Sequence, residues 1–434
     1  MNIASSYQSM FRIPELKRRL LFTGMILLIY RLGGHFPIPG IDRVALANLF
    51  NQNSGSLMGL YDMFSGGNLS QATIFALGIM PYISASIIFQ LLQAVVPYFE
   101  KLAKEGEAGR KKITQYTRYA TVGLALVQSF GMAAGLEKAS TGIVMDPGLG
   151  FKLMTALTLT AGTVFVMWLG EQITERGIGN GISLIIFIGI VARYPTDILN
   201  TGRMIVSGDM HIVKAILIGL FMLGVIAGII AITQGQRKIP VQYAKKIVGR
   251  RVFGGAATFI PLKVNTAGVI PIIFAQSIIM FPATLGGMFP ENQFFITLSM
   301  LFRPPHPVYI VIYTAMIILF AYFYTAVIMN PVDLADNMKK QSGFIPGKRP
   351  GKKTAEYIDS VLTRVTLPGA VFLAVIAILP DLMITWLNVP FRFGGTGLLI
   401  VVGVALDTLQ QIESHLVMRH YDGFLTKGRM RTRR

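Results

Sequence analysis

The sequence predicts an all-α integral membrane protein, with ten transmembrane helices arranged as two inverted five-helix halves. Three observations carry this expectation. Hydrophobic residues make up 53% of the 434-residue chain and charged ones only 14%, with a mean hydropathy of +0.57, the balance of a chain whose spans lie in lipid. Apolar runs approaching or exceeding the roughly 20 residues that a bilayer requires recur along the whole length. Lys and Arg number 40 against 21 Asp and Glu, and they gather in alternate connections, as cytoplasm-facing loops do. The same excess suits anionic lipid, nucleic acid or an acidic partner.

Taken in order, Phe11–Arg19 reads as an amphipathic helix on the membrane surface. Lys17-Arg18-Arg19 before an apolar run has the outline of a secretory signal. No A-x-A-like site follows, however, and the run flows into GGHFPIPGID, so it reads as a retained first span. Apolar runs lie at about Leu20–Phe36, Ala72–Val96, Tyr119–Ala134, Phe151–Leu169, Ile182–Ala192, Ile212–Thr233, Ala267–Leu285, Val308–Met329, Thr366–Leu387 and Thr396–Ile412. The fifth is the weakest, because Arg193 and Pro195 interrupt it.

Counting Lys and Arg in alternate connections orients these ten spans. The set containing both termini, Glu100–Arg118, Glu171–Gly181, Gln234–Lys263 and Asp333–Arg364 holds 31, and everything else holds 9. The first set is therefore cytoplasmic, with both termini inside. Ten spans divide into residues 1–200 and 201–434, and an odd count in each half forces opposite orientations if the halves share a fold. No sequence repeat links the halves, so the symmetry rests on the count. Two cytoplasmic loops are long, 234–263 and 333–364, and a basic tail occupies 416–434. Val241–Val264 has strand-like runs on either side of Gly249-Arg250-Arg251 and predicts a protruding hairpin. SGFIPGKRPGKKTAEYI, in the second loop, predicts a rigid exposed turn displaying Lys348 and Arg349.

One stretch, Leu57–Pro97, breaks the pattern. Its first part is short, Gly-rich and too polar to cross a bilayer, yet it feeds directly into the second apolar run. Backbone at membrane depth must find its hydrogen bonds within its own segment or inside protein, so Met58–Asn68 is expected inside protein or on a polar surface. Ile79 and Ile83 lie four apart on one helical face beside Gly78 and Pro81, as do Ile182 and Ile186 in the fifth run.

Little catalytic chemistry is on offer. The chain has no cysteine, which excludes disulfides and thiolate metal sites, and it has neither H-E-x-x-H nor G-x-x-x-x-G-K-[ST]. Gly177-Ile-Gly-Asn-Gly181 follows no strand and places its third glycine too early for a dinucleotide fingerprint; it reads as a loop entering a helix. The five histidines, His35, His211, His306, His415 and His420, scatter over span ends and loops. Asp407 lies near the inner end of the last span and Arg31 near the outer end of the first, where each could snorkel rather than relay protons. The expected protein is a conduit, neither an enzyme nor a holder of a cofactor.

FSGGNLSQATIFAL followed by GIMPYISASIIFQLL resembles the plug and second helix of the SecY/Sec61-alpha family of protein-conducting channels. ERGIGNGISLIIFIGIVA, PLKVNTAGVIPIIFAQSIIMFPATL, GFIPGKRPGKKTAEYI and FGGTGLLIVVGVALDTLQQIES resemble, in order, the family's entry to helix five, helix seven, penultimate cytoplasmic loop and helix ten. Thr266 and Ser277 depart locally from the family's usual residues. The resemblance implies ten helices around a central hourglass pore, closed by a re-entrant plug half-helix at about residues 57–70, here including Tyr61, Asp62, Met63, Phe64, Ser65, Gly66 and Gly67. It implies a pore ring of Ile79, Ile83, Ile182, Ile186, Ile273 and Ile400, and a lateral gate between helices two and three and helices seven and eight to which Ser84, Asn265, Ser277 and Phe281 map. SecA or ribosome docking would fall on Arg250, Arg251, Lys348 and Arg349. The implied setting is the bacterial cytoplasmic membrane. Implied partners are SecE, SecG, the SecA ATPase, the ribosome, preprotein signal sequences and the lipid bilayer, with SecDF and YidC further ones and no DNA.

Two other classes fit the span count. A secondary transporter would need buried polar groups at mid-membrane for its solute and ion, and an intramembrane enzyme would need a nucleophile–base or metal constellation within the spans. The sequence offers almost nothing for either.

Overall fold

The computed structural model describes residues 13–52, 61, 62, 64–139, 142–208, 210–243, 246–248, 251–253, 257–288, 292–302, 306–387 and 395–427. Among these, each of the ten apolar runs contains a helix. Seven helices are long and apolar enough to cross a membrane, or eight if one sharply bent pair counts as a single span.

Helix α1 (Pro14–Gly33) starts on a proline, whose fixed φ suits the first turn and whose missing N–H costs nothing there. No breaker separates Arg19 from Leu20, so Pro14–Arg19 of the expected surface helix are instead the first turns of the span; Phe11 and Arg12 lie outside the described residues. Leu16 is buried against Ile178 and Ile412, which turns that face toward protein. Helix α2 (Arg43–Gln52) is capped by Asp42, whose Oδ1 accepts from the Val44 amide at 2.8 Å and the Ala45 amide at 3.3 Å.

The second apolar run corrects the expectation of one span over Ala72–Val96. Residues 65–79 form turns, interrupted at Thr73 by an isolated antiparallel bridge to Pro37, and α3 (Met80–Val95) begins only afterwards. The cause is local: Gly66, Gly67 and Gly78 have φ of +74°, +84° and +55°, and even Ala72 sits at +48°. Helix α4 (Pro97–Lys104) then turns away from α3 by 97°. Pro97 has no N–H for the α3 ladder, and Val96 before it is extended at φ −100°, ψ 117°.

Helices α5 (Glu107–Ala139) and α6 (Leu149–Arg176) pack closely. The buried Ser129 Oγ bonds the Ala125 carbonyl within α5 and reaches the Ala156 carbonyl of α6 at 3.2 Å. Arg118 clamps Glu171 with two 2.8 Å bonds, and Lys152 pairs with Glu137 at 2.8 Å. The weak fifth run is α7 (Gly181–Val191); after a break at Ala192 and Arg193 follows α8 (Tyr194–Val206). The GIGNG stretch is the helix entry that the sequence suggests, and the structure adds its cap: Asn180 accepts from the amides of Ile182 and Ser183.

Helix α9 (Ile212–Gln234) leads into a predicted hairpin. Strand β1 (Gln236–Tyr243) pairs antiparallel with β4 (Ala257–Lys263), and the shorter β2 (Lys246–Val248) with β3 (Arg251–Phe253). Ile239 and Val241 alternate inward along β1, as period two requires. After α10 (Ile270–Met288), α11 (Gln293–Leu301), α12 (Pro307–Ile328) and α13 (Pro331–Lys340) comes β5 (Gly343–Phe344). This strand adds to the free edge of β1, giving the order β4-β1-β5. Helices α14 (Lys352–Leu387) and α15 (Gly395–Lys427) complete the chain.

The chain clusters into two compact units. The first comprises Met1–Asn200, Met280–Pro304 and Val404–Arg434, the second Thr201–Ile279 and Pro305–Gly403. The first is centred on Ile38, Leu46, Leu77, Ile143 and Leu159. In the second, a core of Ile239, Val241, Leu262, Met338, Ile345 and Ile358 joins the two basic loops beneath the three-stranded sheet.

Candidate functional site

The segment expected to be the plug is held by an extensive polar network. Among the described residues, Tyr61, Asp62 and Phe64 are helical and the chain then turns repeatedly; Met63 and residues 57–60 lie outside them. Asp62, Phe64, Ser65 and Asn68 are almost completely buried, as expected for polar backbone that cannot face lipid. Burial is matched by hydrogen bonds. Tyr30 donates from its hydroxyl to the Ser65 carbonyl at 3.3 Å, and Asn68 Nδ2 reaches the same carbonyl at 2.6 Å. Tyr61 donates to the Leu77 carbonyl at 3.3 Å. Asp62 Oδ1 accepts from the Ser70 amide at 2.8 Å, while its Oδ2 meets Arg193 Nη1 at 2.9 Å.

Two of these holders were not assigned roles by sequence. Arg31 does not snorkel: its Nη1 lies 3.2 Å from the Gly66 carbonyl. Arg193, the residue that weakens the fifth run, ion-pairs with Asp62. The signal for both was present, because a cation within or beside an apolar run needs a partner. What the spacing could not supply was the partner, 35 and 131 residues away. Glycine makes the approach possible: Gly66 and Gly189 lie so close that a Cβ on Gly66 would meet the Gly189 Cα at 2.8 Å. Phe75 stacks with Tyr30 at 5.8 Å and Phe165 at 6.0 Å, fixing the turns that precede α3.

The six isoleucines occupy four helix ends or interiors. Ile79 is the N-cap of α3, and its carbonyl accepts from the Ile83 amide at 3.1 Å, so the two stack one turn apart. Both are buried, as are Ile186 in α7, Ile273 in α10 and Ile400 in α15. Ile182, at the first turn of α7, is half-buried and lies beside Gly170. Of the residues mapped to the gate, Ser84 is half-buried, Asn265 and Ser277 are buried, and Phe281 is 54% exposed. Ser277 donates to the Ile273 carbonyl at 2.8 Å, one turn along α10.

On the basic loops, Lys348 and Arg349 are exposed between Gly347 and Gly351, both at positive φ, and Lys348 Nζ sits 5.1 Å over the Tyr357 ring. The Arg349 carbonyl accepts from Thr354 Oγ1 at 2.9 Å, which anchors the turn to α14. Arg251 opens β3 opposite Val248; Arg250 lies outside the described residues. Among the described residues no cluster of His, Asp or Glu could hold a metal ion.

The chain is similar to known proteins in sequence and in fold. A family model described as SecY matches residues 73–409. The protein translocase subunit SecY of Escherichia coli strain K12 is 49% identical over 424 residues, covering 96% of each chain. That of Aquifex aeolicus is 46% identical over 425 residues, covering 97% of this chain and 99% of the relative. Among solved structures, one of a protein-conducting channel aligns with a TM-score of 0.64 at 17% identity, covering 92% of this chain and 93% of the other. Another, concerned with the SecY plug domain, aligns at 0.66 and 17%, covering 92% of each. At that identity the structures speak for the fold alone, and it is the fold of ten helices in two halves that the sequence predicts. With a family model matched over most of its length and curated relatives near half-identical end to end, the chain belongs to the SecY family.

Proposed function

We propose that this chain is the channel subunit of a protein translocase: it passes unfolded preproteins across the bacterial cytoplasmic membrane and releases signal sequences and nascent spans sideways into lipid. The observation that carries the proposal is the end-to-end match, at 46–49% identity, with protein translocase subunits; the buried, hydrogen-bonded segment at 64–70 supports it. The test is direct: vesicles containing the chain and its partners should import a preprotein and fail to accumulate small solutes, and the reverse would overturn the proposal.

Within this reading, residues 1–200 and 201–434 form the two halves. Ile79, Ile83, Ile182, Ile186, Ile273 and Ile400 form the constriction, and branched apolar side chains close it to ions by dewetting. The segment 57–70 is the plug, and Ser84, Asn265, Ser277 and Phe281 line the seam through which apolar segments leave. The chain is not an enzyme, and the drive comes from SecA or a ribosome, with SecE and SecG completing the channel and SecDF and YidC acting beside it.

Both termini are cytoplasmic in this arrangement. Because the sequence has no cysteine, single cysteines can be introduced without background. Cysteines at Gly249, Gly347 and after Gly423 should label from the cytoplasmic side, and those at Ser56, Asp146, Gly208 and Glu291 from outside. Labelling of Gly249 and Asp146 from one side would refute the ten-span orientation.

Arg250, Arg251, Lys348 and Arg349 form the docking surface for SecA or the ribosome. The guanidinium pairs bidentately with carboxylate or phosphate, so lysine substitutes poorly. A hydrogen bond to a charged group is worth about 1.5–3 kcal/mol, so Arg349→Glu should reduce SecA-driven transport by about tenfold or more. Membrane levels and SecE binding should be unchanged. Full transport by Arg349→Glu vesicles would remove that residue from the surface.

A further inference from the structure

Arg193 is a cation in the break between α7 and α8, and the channel reading above gives it no task. Its side chain is 32% exposed, so water could have solvated it, yet it reaches Asp62, whose side chain is 3% exposed. Asp62 in turn organises the segment from within. Its backbone carbonyl accepts from the Gly67 amide at 2.8 Å and from Ser65 Oγ at 3.0 Å, and its Oδ1 accepts from the Ser70 amide. One carboxylate therefore shapes the plug with one oxygen and ties it to α7–α8 with the other.

The remaining holders differ in kind. Tyr30, Arg31, Asn68 and Tyr61 all bond backbone carbonyls or one another, at 2.6–3.3 Å. Tyr30 and Arg31 lie outside the segment and reach carbonyls that any sequence there would present, whereas Tyr61 and Asn68 belong to the segment and carry no charge. Asp62 with Arg193 is, among the described residues, the ion pair between the plug and the helices around it. A buried carboxylate paired with a cation that water can readily reclaim is suited to a contact that must break and re-form. When the plug leaves, Arg193 is hydrated at little cost, and when it returns, Asp62 regains its counter-charge.

We propose that the Asp62–Arg193 ion pair is a latch that sets how readily the plug leaves, and hence how strong a signal sequence must be to open the channel. The proposal rests on reading residues 57–70 as the plug. Asp62→Asn is the mild variant, since asparagine keeps an oxygen for the Ser70 amide and leaves Arg193 to solvent. Arg193→Gln is harsher, because it strands a buried carboxylate.

The experiment measures resting ion conductance of the full chain reconstituted with its partner subunits, and export of a preprotein with a defective signal sequence. Asp62→Asn should raise resting conductance about tenfold, equivalent to about 1.4 kcal/mol of plug seating. It should also increase export of the defective preprotein, with export of an intact one unchanged. Arg193→Gln should leak at least as much. The double variant should leak no more than the leakier single one, because neutral partners have nothing left to lose. Effects that multiply in the double variant, or parental conductance in Asp62→Asn, would overturn the latch. Deleting residues 64–69 separates the two readings. Leak from the deletion without leak from Asp62→Asn removes the latch and keeps the plug, whereas no leak from either removes the plug itself. If Arg193→Gln does not accumulate in the membrane, Asp62→Asn and the deletion decide alone.

Discussion

Channels carrying Ile400→Asn should conduct ions at rest, at least about tenfold above the parental current, and should admit preproteins with defective signal sequences. Ile400 is fully buried in α15, and the proposed ring places it where closure depends on an unwettable surface. Within the proposed ring an asparagine could not satisfy its amide, and leaving it without partners costs about 1–3 kcal/mol. Recruiting water relieves that cost, and a hydrated constriction conducts. Leu319 supplies the contrast: it is 60% exposed on α12, where Leu319→Asn meets lipid and should lower stability without producing current. Conductance of the two variants at matched membrane abundance is the measurement. Equal, near-zero currents would end the pore-ring assignment.

The spans were legible because lipid imposes one demand, a long apolar segment with internally satisfied backbone, and each of the ten runs does contain a helix. The hairpin around Gly249-Arg250-Arg251 and the helix entry at Gly177–Gly181 were legible because turn chemistry is local; the cap that Asn180 supplies there was not read from the sequence. The stretch from Ala72 to Ile79 was not. Its composition is as apolar as a span's, and periodicity does not separate a buried helix from apolar chain that is buried in turns. What decides it is backbone conformation, with Ala72 and Gly78 at positive φ and the Ile74 amide bonded to the Phe36 carbonyl at 3.0 Å. Arg31 and Arg193 failed in another way. Each was visible as a charge out of place, but nothing local in the sequence names Gly66 or Asp62 as the partner. The pairing of β5 with β1, which merges two basic loops into one module, depends on a two-residue strand too short to announce itself.

Gly66→Val should produce a larger leak than any ion-pair variant, because it removes the space the plug occupies instead of weakening a bond. Two constraints meet at this glycine. Its φ of +74° is strained for a β-branched residue, at a cost of about 1–3 kcal/mol. Its added Cβ would also meet the Gly189 Cα at 2.8 Å, and Gly189 in α7 would in turn push a Cβ to 3.1 Å from the Gly66 Cα. Both obstacles are backbone, so no rotamer change relieves them, and the plug must back away from α7. The neighbouring glycine isolates the cause. Gly67 has φ +84° but nothing within 4 Å of an added Cβ, so Gly67→Ala carries the backbone strain without the collision. Gly66→Ala should therefore leak clearly more than Gly67→Ala, and Gly66→Val more again. All three should still export an intact preprotein, since a segment that blocks the pore does not move cargo. Resting conductance read alongside membrane abundance checks the series. Equal leak from Gly66→Ala and Gly67→Ala would mean that strain alone loosens the segment, and that the close approach of Gly66 to Gly189 does not hold the channel shut.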